Sequence, residues 1–130
     1  MKTVERAGVA RLPSTEELNE LIIRSIQDKK GRKIVQLDLR KLDVRPADYF
    51  IICEGESPTQ IRTIVQNIQQ KVKEELALTP SHVEGYETSN WTLLDYFDTV
   101  VHVFYPATRS FYDLEGLWAD AQRTDFDDLL

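Results

Sequence analysis

The most informative stretch of this 130-residue chain is Tyr49-Phe50-Ile51-Ile52-Cys53-Glu54-Gly55-Glu56-Ser57-Pro58. It begins with a continuous β-prone run, which is typical of a central strand covered on both faces. The glycine marks a turn, Ser57 is a good helix N-cap and Pro58 fits the first helical position. Apolar residues then recur at helical spacing from Ile61 to Leu76. The stretch therefore predicts a buried strand followed by a long helix.

The residues before this unit predict one more helix and one more strand. Ser14 and Glu17 have capping-box spacing, and the apolar residues that follow indicate a first helix over Thr15–Lys30. Residues 35–39 alternate between apolar and polar side chains, which is typical of a half-buried strand.

The residues after it predict a short edge strand, a hairpin and a third helix. The edge strand is expected at residues 82–84, the hairpin strands at Trp91–Tyr96 and Thr99–Tyr105, and the helix at Phe111–Trp118. The resulting fold class is α/β, with a mixed sheet of four to five strands and three helices. We expect a flexible leader at residues 1–13, one domain at residues 14–121 and a mobile acidic tail at residues 122–130.

The composition of the chain indicates a globular protein and the kind of compartment in which it works. Apolar residues make up 42% of the chain and charged residues 29%, close to the globular norm. No apolar run approaches the roughly 20 residues of a membrane-spanning helix, so we expect no membrane contact. The single cysteine rules out an internal disulfide and suits a reducing cytoplasm.

The charge distribution is strongly uneven. Residues 1–73 hold 14 basic and 10 acidic side chains, whereas residues 74–130 hold 2 basic and 12 acidic ones. A phosphate backbone rewards basic side chains, so we expect no direct nucleic-acid recognition by the second half. Its acids are either a solvated surface or a surface for a basic protein partner.

The motifs of catalysis and metal binding are weak. One glycine at residue 55 is not a phosphate-binding loop, and Glu56 would repel a phosphate. Asp95 and Asp98 bracket a turn and need not converge on one ion. His82, His102 and Cys53 lie far apart in the chain, without zinc-site spacing. We expect no enzyme activity, no metal and no cofactor.

Strand alternation predicts large side chains on both sides of the hairpin. Trp91, Leu93 and Asp95 share one side of their strand, and His102 and Phe104 share one side of the next. Core packing explains many of these residues, but aromatic residues beside acids are also typical of a binding hot spot.

Three blocks of sequence resemble the ribosomal silencing factor (Iojap-related) family. The blocks are Asp48–Ile52 with Gly55-x-Ser57-x-x-Gln60-x-Arg62; Glu84-Gly85 with Trp91–Phe104; and Arg109–Trp118. They keep their order and spacing from about Thr15 to Ala121, nearly the whole chain.

The resemblance implies a fold akin to the nucleotidyltransferases, without their catalytic acids. It implies binding to the large ribosomal subunit through large-subunit ribosomal protein fourteen, steric exclusion of the small subunit and lower translation when nutrients are scarce. Family members are also known as homodimers. By similarity, partner contact is carried onto Trp91, Leu93, Asp95, Tyr96, Asp98, His102, Arg109 and Tyr112.

Two departures from the family pattern affect the hairpin. Phe97 stands where the family usually has a turn glycine, and Ser89-Asn90 replaces a glycine before the tryptophan. Because Asn tolerates positive φ, we expect Asn90 to preserve that turn. The alternative functions are a nucleotidyltransferase-like nucleotide-binding enzyme, which calorimetry with nucleotides and magnesium would detect, and a homodimeric scaffold.

Overall fold

Residues 12–128, the part of the chain that this computed structural model describes, form a mixed six-stranded sheet with helices on both faces. The helices are α1 (Thr15–Asp28), α2 (Pro58–Leu76), α3 (Pro106–Tyr112) and the single turn α4 (Leu114–Leu117). The strands are β1 (Arg32–Asp38), β2 (Tyr49–Glu54), β3 (His82–Glu84), β4 (Trp91–Asp95), β5 (Thr99–Phe104) and β6 (Gln122–Phe126). Most of the predicted leader, residues 1–11, and the last two tail residues, 129–130, lie outside the described residues.

The strand order is β3-β4-β5-β2-β1-β6, and only the central pair β2–β5 is parallel. That pair aligns Phe50 with Val100 and Ile52 with His102. Both strands are buried, so the predicted central strand is confirmed.

The first face of the sheet is covered by α1 and α2. Ser14 and Glu17 form the predicted capping box on α1, and the hydroxyl of Ser57 accepts a hydrogen bond from the backbone N–H of Gln60 at the start of α2. Both helices turn an apolar stripe inward. The stripes pack on strand residues that alternate onto this face: Ile34, Ile51, Cys53, Leu94, Val101 and Val103.

The second face is covered less completely, by the segment that follows β5. Leu114 is buried and Trp118 partly buried against a cluster that includes Val35, Leu37 and Phe50. On this face β5 is buried, whereas the residues of β4, which are Trp91, Leu93 and Asp95, are only partly buried. The cover therefore leaves the hairpin end of the second face accessible.

The sheet has one strand more than the four to five that the sequence predicts. Residues 122–126, expected as part of a mobile tail, are the sixth strand and pair antiparallel with β1 from Asp38↔Gln122 to Ile34↔Phe126. The strand is polar and largely exposed, so it has none of the apolar alternation that identifies strands in sequence. Backbone pairing with β1 holds it, and Phe126 at its end packs against the core of the first face.

The third helix is also different from the single helix that the sequence predicts. It begins earlier, at Pro106, and is interrupted at Asp113, whose φ is +46°. Of the expected apolar stripe, Leu114 is buried and Trp118 partly buried, while Phe111 and Leu117 are exposed.

Helix α1 ends at Asp28, two residues before the predicted end. Lys30 takes a φ of +61°, and Gly31 then passes so close to Ile26 that a Cβ there would lie 2.3 Å from the Ile26 Cγ2 atom. Gly31 is therefore required by a close approach of the chain to its own helix.

Candidate functional site

The β4–β5 hairpin places its large side chains in two opposite layers. Its register pairs Trp91 with Phe104, Leu93 with His102 and Asp95 with Val100, all on the second face of the sheet. Thr92 and Leu94 point to the first face, under the helices, and are fully buried. The alternation predicted for Trp91, Leu93 and Asp95 is confirmed.

An aromatic cluster forms around Trp91. Its ring lies 4.9 Å from that of Phe104 in a stacked arrangement and 4.8 Å from that of Tyr112 on α3. The His102 ring meets Phe50 edge-on at 4.5 Å, and Phe50 in turn meets Trp118 edge-on at 6.2 Å. These contacts join the hairpin, β2 and the covering segment in one layer.

A hydrogen bond fixes the protonation state of His102. The indole Nε1–H of Trp91 donates to His102 Nδ1 at 3.1 Å. An indole only donates, so Nδ1 must be unprotonated and the neutral ring carries its proton on Nε2. Burial lowers the pKa of His102 to about 3. Within residues 12–128 the buried Nε2 atom has no hydrogen-bond partner, and His102 is a neutral support beneath Trp91.

The accessible part of this layer is a continuous apolar surface. Trp91 and Leu93 are partly exposed, whereas Tyr112 is 51% exposed and Phe111 80% exposed. Phe111 and Tyr112 meet edge-on at 5.0 Å. Together with the partly exposed carboxylate of Asp95 they form a surface that we call the hairpin face, composed of Trp91, Leu93, Asp95, Phe111 and Tyr112.

Acids lie within and beside the hairpin face, and one of them, Glu84, is paired with His82, whose Nε2 atom lies 2.7 Å from Glu84 Oε2. Glu84 on β3 pairs with Leu93 and so lies on the same side of the sheet, while Asp95 lies at the other end of β4. Residues 74–130 contain only two basic side chains. Arg109 is paired with Glu54 and Glu115, and Arg123 is paired with Asp125. The surface is therefore suited electrostatically to a basic partner.

Two of the predicted contact residues lie elsewhere. Tyr96 is 6% exposed in the core beneath the helices, and burial raises the pKa of its hydroxyl. Asp98 is exposed, but its carboxylate accepts a hydrogen bond from the Thr15 hydroxyl at 3.4 Å, at the start of α1. Its carbonyl accepts the N–H groups of Asp48 and Tyr49, both at 2.9 Å. Neither residue is brought into the hairpin face.

Arg109 is an internal clamp. Its guanidinium donates to Glu115 Oε2 at 2.6 and 3.0 Å, to Glu54 Oε1 at 3.2 Å and to the carbonyl of Lys33 at 2.7 Å. With 8% of the residue exposed, it ties α3 and α4 to β1 and β2. By fixing α3 in this way, Arg109 positions Phe111 and Tyr112.

At both places where the chain departs from a family glycine, a residue has left-handed backbone conformation. Phe97 has a φ of +73°, which explains why a glycine would fit there, and the Asp95 carboxylate accepts its N–H at 2.8 Å. Before Trp91, the positive φ of +57° belongs to Ser89, so the expectation for Asn90 is wrong. The Ser89 hydroxyl donates to the Tyr86 carbonyl at 2.7 Å and holds that turn.

Phe111 is the member of the hairpin face that the sequence did not assign to it. Its spacing from Leu114 indicated the buried stripe of one helix, but the chain breaks at Asp113 between the two residues, and Phe111 is exposed on α3. A signal was present in the Asp113-Leu114-Glu115 sequence, since Asp is a good N-cap and could have marked a new helical turn. Asp113 indeed accepts the N–H of Gly116.

The groups considered for chemistry have structural partners. The N–H of Glu56, in the turn that resembled a phosphate loop, donates to Gln60 Oε1 at 2.7 Å. Cys53 is fully buried, and burial raises the pKa of its thiol to about 12. Within residues 12–128, no group of three or more His, Cys, Asp or Glu side chains could hold a metal ion. In the same residues no helix is both long and apolar enough to cross a membrane.

Comparison with known proteins shows which family the chain belongs to. A family profile described as "Ribosomal silencing factor during starvation" matches residues 12–130. The chain belongs to the ribosomal silencing factor family. This family consists of ribosome-binding regulators of translation rather than enzymes, and it implies an interaction with the large ribosomal subunit.

Individual ribosomal silencing factors are similar over most of their length. The protein of that name from Halalkalibacterium halodurans is 36% identical over 117 residues, covering 90% of this chain and 98% of its own. The Bacillus subtilis factor is 39% identical over 100 residues, covering 77% and 83%. Chloroplastic Iojap of Zea mays is 34% identical over 97 residues, covering 72% and 42%, so organellar relatives exist as well.

A solved structure supports the fold. A crystal structure of a Chromobacterium violaceum protein superposes with a TM-score of 0.78 at 36% identity, covering 82% of this chain and 88% of that one. The mixed sheet described above is therefore the fold of ribosomal silencing factors.

The first block of the family resemblance has a structural role in this chain. Gln60 donates to the carbonyls of Lys29 and Lys30 and thus joins α2 to the end of α1. Arg62 donates to the carbonyl of Glu87 at 3.1 Å and anchors the loop before β4. The first block thus holds the scaffold of this ribosomal silencing factor, and the second and third blocks form its hairpin face.

Proposed function

We propose that this protein binds large-subunit ribosomal protein fourteen through the hairpin face and thereby blocks association of the two ribosomal subunits. The observation that carries the proposal is the hairpin face itself, an exposed aromatic and aliphatic surface bordered by acids. Such a surface fits a partner that is basic at its rim and apolar at its centre. Binding on the face of the large subunit that meets the small one represses initiation by occupying space.

This mechanism needs no bond to be made or broken. The protein contributes a rigid surface, because Trp91 is held by His102 and the covering segment is held by Arg109. A preorganised surface loses little conformational freedom on binding. We further propose that the protein acts in the cytoplasm under nutrient limitation, in keeping with the starvation role in the family description.

A sucrose-gradient experiment tests the proposal. Purified protein is mixed with isolated large and small subunits, and we expect it to travel with the large subunit and to reduce the fraction of reassociated ribosomes. Trp91→Ala should abolish both effects. Circular dichroism must show that this variant is folded, because Trp91 also packs on Phe104. A folded wild-type protein that stays at the top of the gradient contradicts the proposal.

A pull-down with purified ribosomal protein fourteen tests the partner. We expect direct binding that weakens as salt concentration rises, because acids on one side meet cations on the other. Binding to large subunits without binding to the isolated ribosomal protein would transfer the contact to another component of the subunit.

Self-association is a second candidate role, since an exposed apolar surface can also pair with a copy of itself. Light scattering with and without the ribosomal protein separates the two. A dimer that dissociates when the ribosomal protein is added uses the hairpin face for both contacts, and a dimer that persists uses another surface.

A further inference from the structure

The turn between α1 and β1 concentrates positive charge. Four exposed basic side chains lie within five residues, and we call this set the basic turn: Lys29, Lys30, Arg32 and Lys33. Two of these residues have left-handed backbone, Lys30 with a φ of +61° and Lys33 with a φ of +51°. The side chain of Gln60 donates to the carbonyls of Lys29 and Lys30. The scaffold therefore fixes where these charges stand.

The basic turn already holds an anionic group. The carboxylate of Asp128 accepts the backbone N–H of Lys33 through Oδ1 at 2.9 Å, and its Oδ2 atom lies 3.3 Å from Arg32 Nε. A backbone N–H beside a guanidinium is also a donor set that proteins use for phosphate oxygens. The carboxylate of Asp128 thus occupies a position that one phosphate group fits.

Asp128 can leave this position without disturbing the sheet. It lies two residues beyond β6, which ends at Phe126, and takes no part in the pairing of β6 with β1. Its side chain is 29% exposed and that of Arg32 is 51% exposed. Because ion pairs this accessible contribute little to folding, an incoming phosphate can replace the carboxylate.

The lysines extend the site beyond a single phosphate. Arg32 has a second partner in Glu56, at 3.3 Å. Within residues 12–128, by contrast, the side chains of the three lysines in the basic turn make no ion pair. Several cations in a row suit a chain of phosphates, since each contact with a nucleic-acid backbone releases a counterion. The basic turn therefore fits a nucleic-acid backbone better than one small anion.

The basic turn lies at the same end of the sheet as the tryptophan of the hairpin face. One row of aligned residues crosses four strands, and it consists of Trp91, Phe104, Glu54 and Arg32. Three strand spacings separate the first of these from the last, which is about 14 Å. A large partner that covers the Trp91 end of the hairpin face therefore comes within reach of the basic turn.

We propose that the basic turn binds the RNA backbone of the large ribosomal subunit, and that one phosphate displaces Asp128 from Arg32 and Lys33. The inference rests on the proposed binding to the large subunit, because that binding brings the basic turn to RNA. It does not depend on which ribosomal protein the hairpin face contacts. Phosphate contacts carry no sequence information, so this one adds affinity and fixes the orientation of the protein on the subunit.

Fluorescence anisotropy of the full chain with a labelled RNA duplex at low salt tests the contact. We expect weak binding that is equal for two duplexes of unrelated sequence. Lys29→Gln combined with Lys30→Gln should weaken it. The slope of log affinity against log salt concentration should also become shallower by about two, one for each lysine removed.

A second pair of lysines provides the matched control. Lys71→Gln combined with Lys73→Gln makes the same change in net charge on α2. Lys71 lies eleven residues after Gln60, about 17 Å along the helix, which is farther than charges act strongly at physiological salt. We expect this variant to keep its RNA affinity within about twofold.

Asp128→Asn tests the displacement. The variant removes the charge that competes with RNA for Arg32, so its RNA affinity should rise by about two- to fivefold, the size of an exposed ion pair. Asp127→Asn makes the same change in charge one residue away. Because Asp127 uses its carbonyl to accept a hydrogen bond from Gln27, at 3.1 Å, this control leaves the anion position untouched and should change the affinity less.

Four results would overturn the proposal. The first is a wild-type protein that binds no RNA at low salt, and the second is an equal loss of affinity in both lysine variants, which would leave net charge as the only cause. The third is polyglutamate binding as tight as RNA binding, which would assign the basic turn to an acidic protein. The fourth is an equal gain in the two aspartate variants, which would remove the displacement of Asp128. Circular dichroism confirms that each variant is folded.

This assay is separate from the test of the hairpin face, because it contains no ribosomal protein. The variant with Lys29→Gln and Lys30→Gln should bind isolated ribosomal protein fourteen as the wild type does. It should dissociate from whole large subunits at a lower salt concentration. RNA binding can therefore fail while the hairpin face still binds its partner, and the reverse result is equally distinguishable.

Discussion

The indole of Trp91 and the imidazole of His102 are joined by a hydrogen bond of 3.1 Å at the centre of the sheet's second face. The bond connects a partly exposed residue of the hairpin face with a residue that is only 3% exposed. It holds the Trp91 ring in place and requires a neutral histidine as acceptor. The protonation of a buried group is therefore linked to the shape of an exposed surface.

This linkage predicts a pH dependence of stability. The pKa of His102 is about 3 in the folded protein and 6.5 in the ordinary, solvated state. Between these values the unfolded chain binds a proton that the folded chain does not, so the free energy of unfolding falls as the pH falls below about 6.5. The slope attributable to this group approaches about 1.4 kcal/mol per pH unit.

Urea denaturation at pH 7.0 and pH 5.5 measures this effect. His102→Asn keeps an acceptor for the Trp91 indole and removes the titrating group, so it should lose less stability than the parent over the same interval. His82→Asn is introduced in both proteins so that they differ only at residue 102. Equal losses of stability in the two proteins would show that the pKa of His102 is not lowered in the folded protein.

Phe111 provides a test of the hairpin face that avoids the core. At 80% exposure its side chain contributes little to folding, so Phe111→Ala should leave the melting temperature almost unchanged. It should weaken large-subunit binding by about tenfold or more if it contributes as a hot-spot aromatic residue. Leu117→Ala, at 71% exposure on the adjoining turn but outside the hairpin face, is the matched control. Equal effects of the two substitutions would remove Phe111 from the surface.

Asp95 tests the acidic border. Its carboxylate accepts the N–H of Phe97, so a charge reversal could also disturb the hairpin turn. Asp95→Asn retains the acceptor and removes the charge, whereas Asp95→Lys reverses the charge. We expect ribosome association to weaken with Asn and to be lost with Lys, in surface-plasmon measurements at low salt. Full binding by a folded Asp95→Lys protein would show that this carboxylate faces no cation.

The parts of the fold that the sequence predicted share one property, which is that a local pattern of residue types determines them. The continuous run of β2, the stripe of α2 and the capping box of Ser14 all appear where expected. The strand β6 is different, because backbone pairing and the packing of Phe126 hold it, and its polar side chains give that pairing no signature. The break at Asp113 depends on a single left-handed residue, which periodicity does not detect.

The same limit applies to the candidate site. Alternation correctly assigned Trp91 and Leu93 to one layer, since it follows from the strand pleat. The family resemblance does not tell which side chains the helices cover, so it grouped the buried Tyr96 with the exposed Tyr112. Arg109 was assigned to the partner surface by the family resemblance, whereas its acids, Glu54 and Glu115, become its neighbours only in the folded structure.

The Arg109 clamp predicts a large loss of stability. Arg109→Met leaves the carboxylates of Glu54 and Glu115 facing a mostly buried site without a cation, which should cost about 3–5 kcal/mol in the free energy of unfolding. Arg109→Lys keeps the charge but not the forked geometry, so it should recover only part of this loss. Urea denaturation measures both values.

Ribosome binding by these variants distinguishes positioning from contact. If Arg109 acts by holding α3 and α4, the Lys variant should lose affinity in proportion to its loss of order in this segment, as seen by hydrogen exchange at Phe111 and Tyr112. Lost binding with unchanged exchange protection in the segment would make Arg109 a direct contact.

Phe97 offers a substitution that should stabilise the protein. Its backbone has a φ of +73°, a conformation that costs a side chain about 1 kcal/mol relative to glycine, and its ring is 76% exposed. Phe97→Gly removes this strain without losing core contacts, although a more flexible unfolded chain offsets part of the gain. We therefore expect a net stabilisation of roughly 0.5 kcal/mol. Thermal unfolding measures the change, and Phe97→Ala, which keeps a Cβ at the strained position, should not show it.

Because Phe97 lies outside the hairpin face, ribosome association by the Gly variant should be unaffected. A binding defect in this more stable variant would instead extend the hairpin face around the tip of the hairpin.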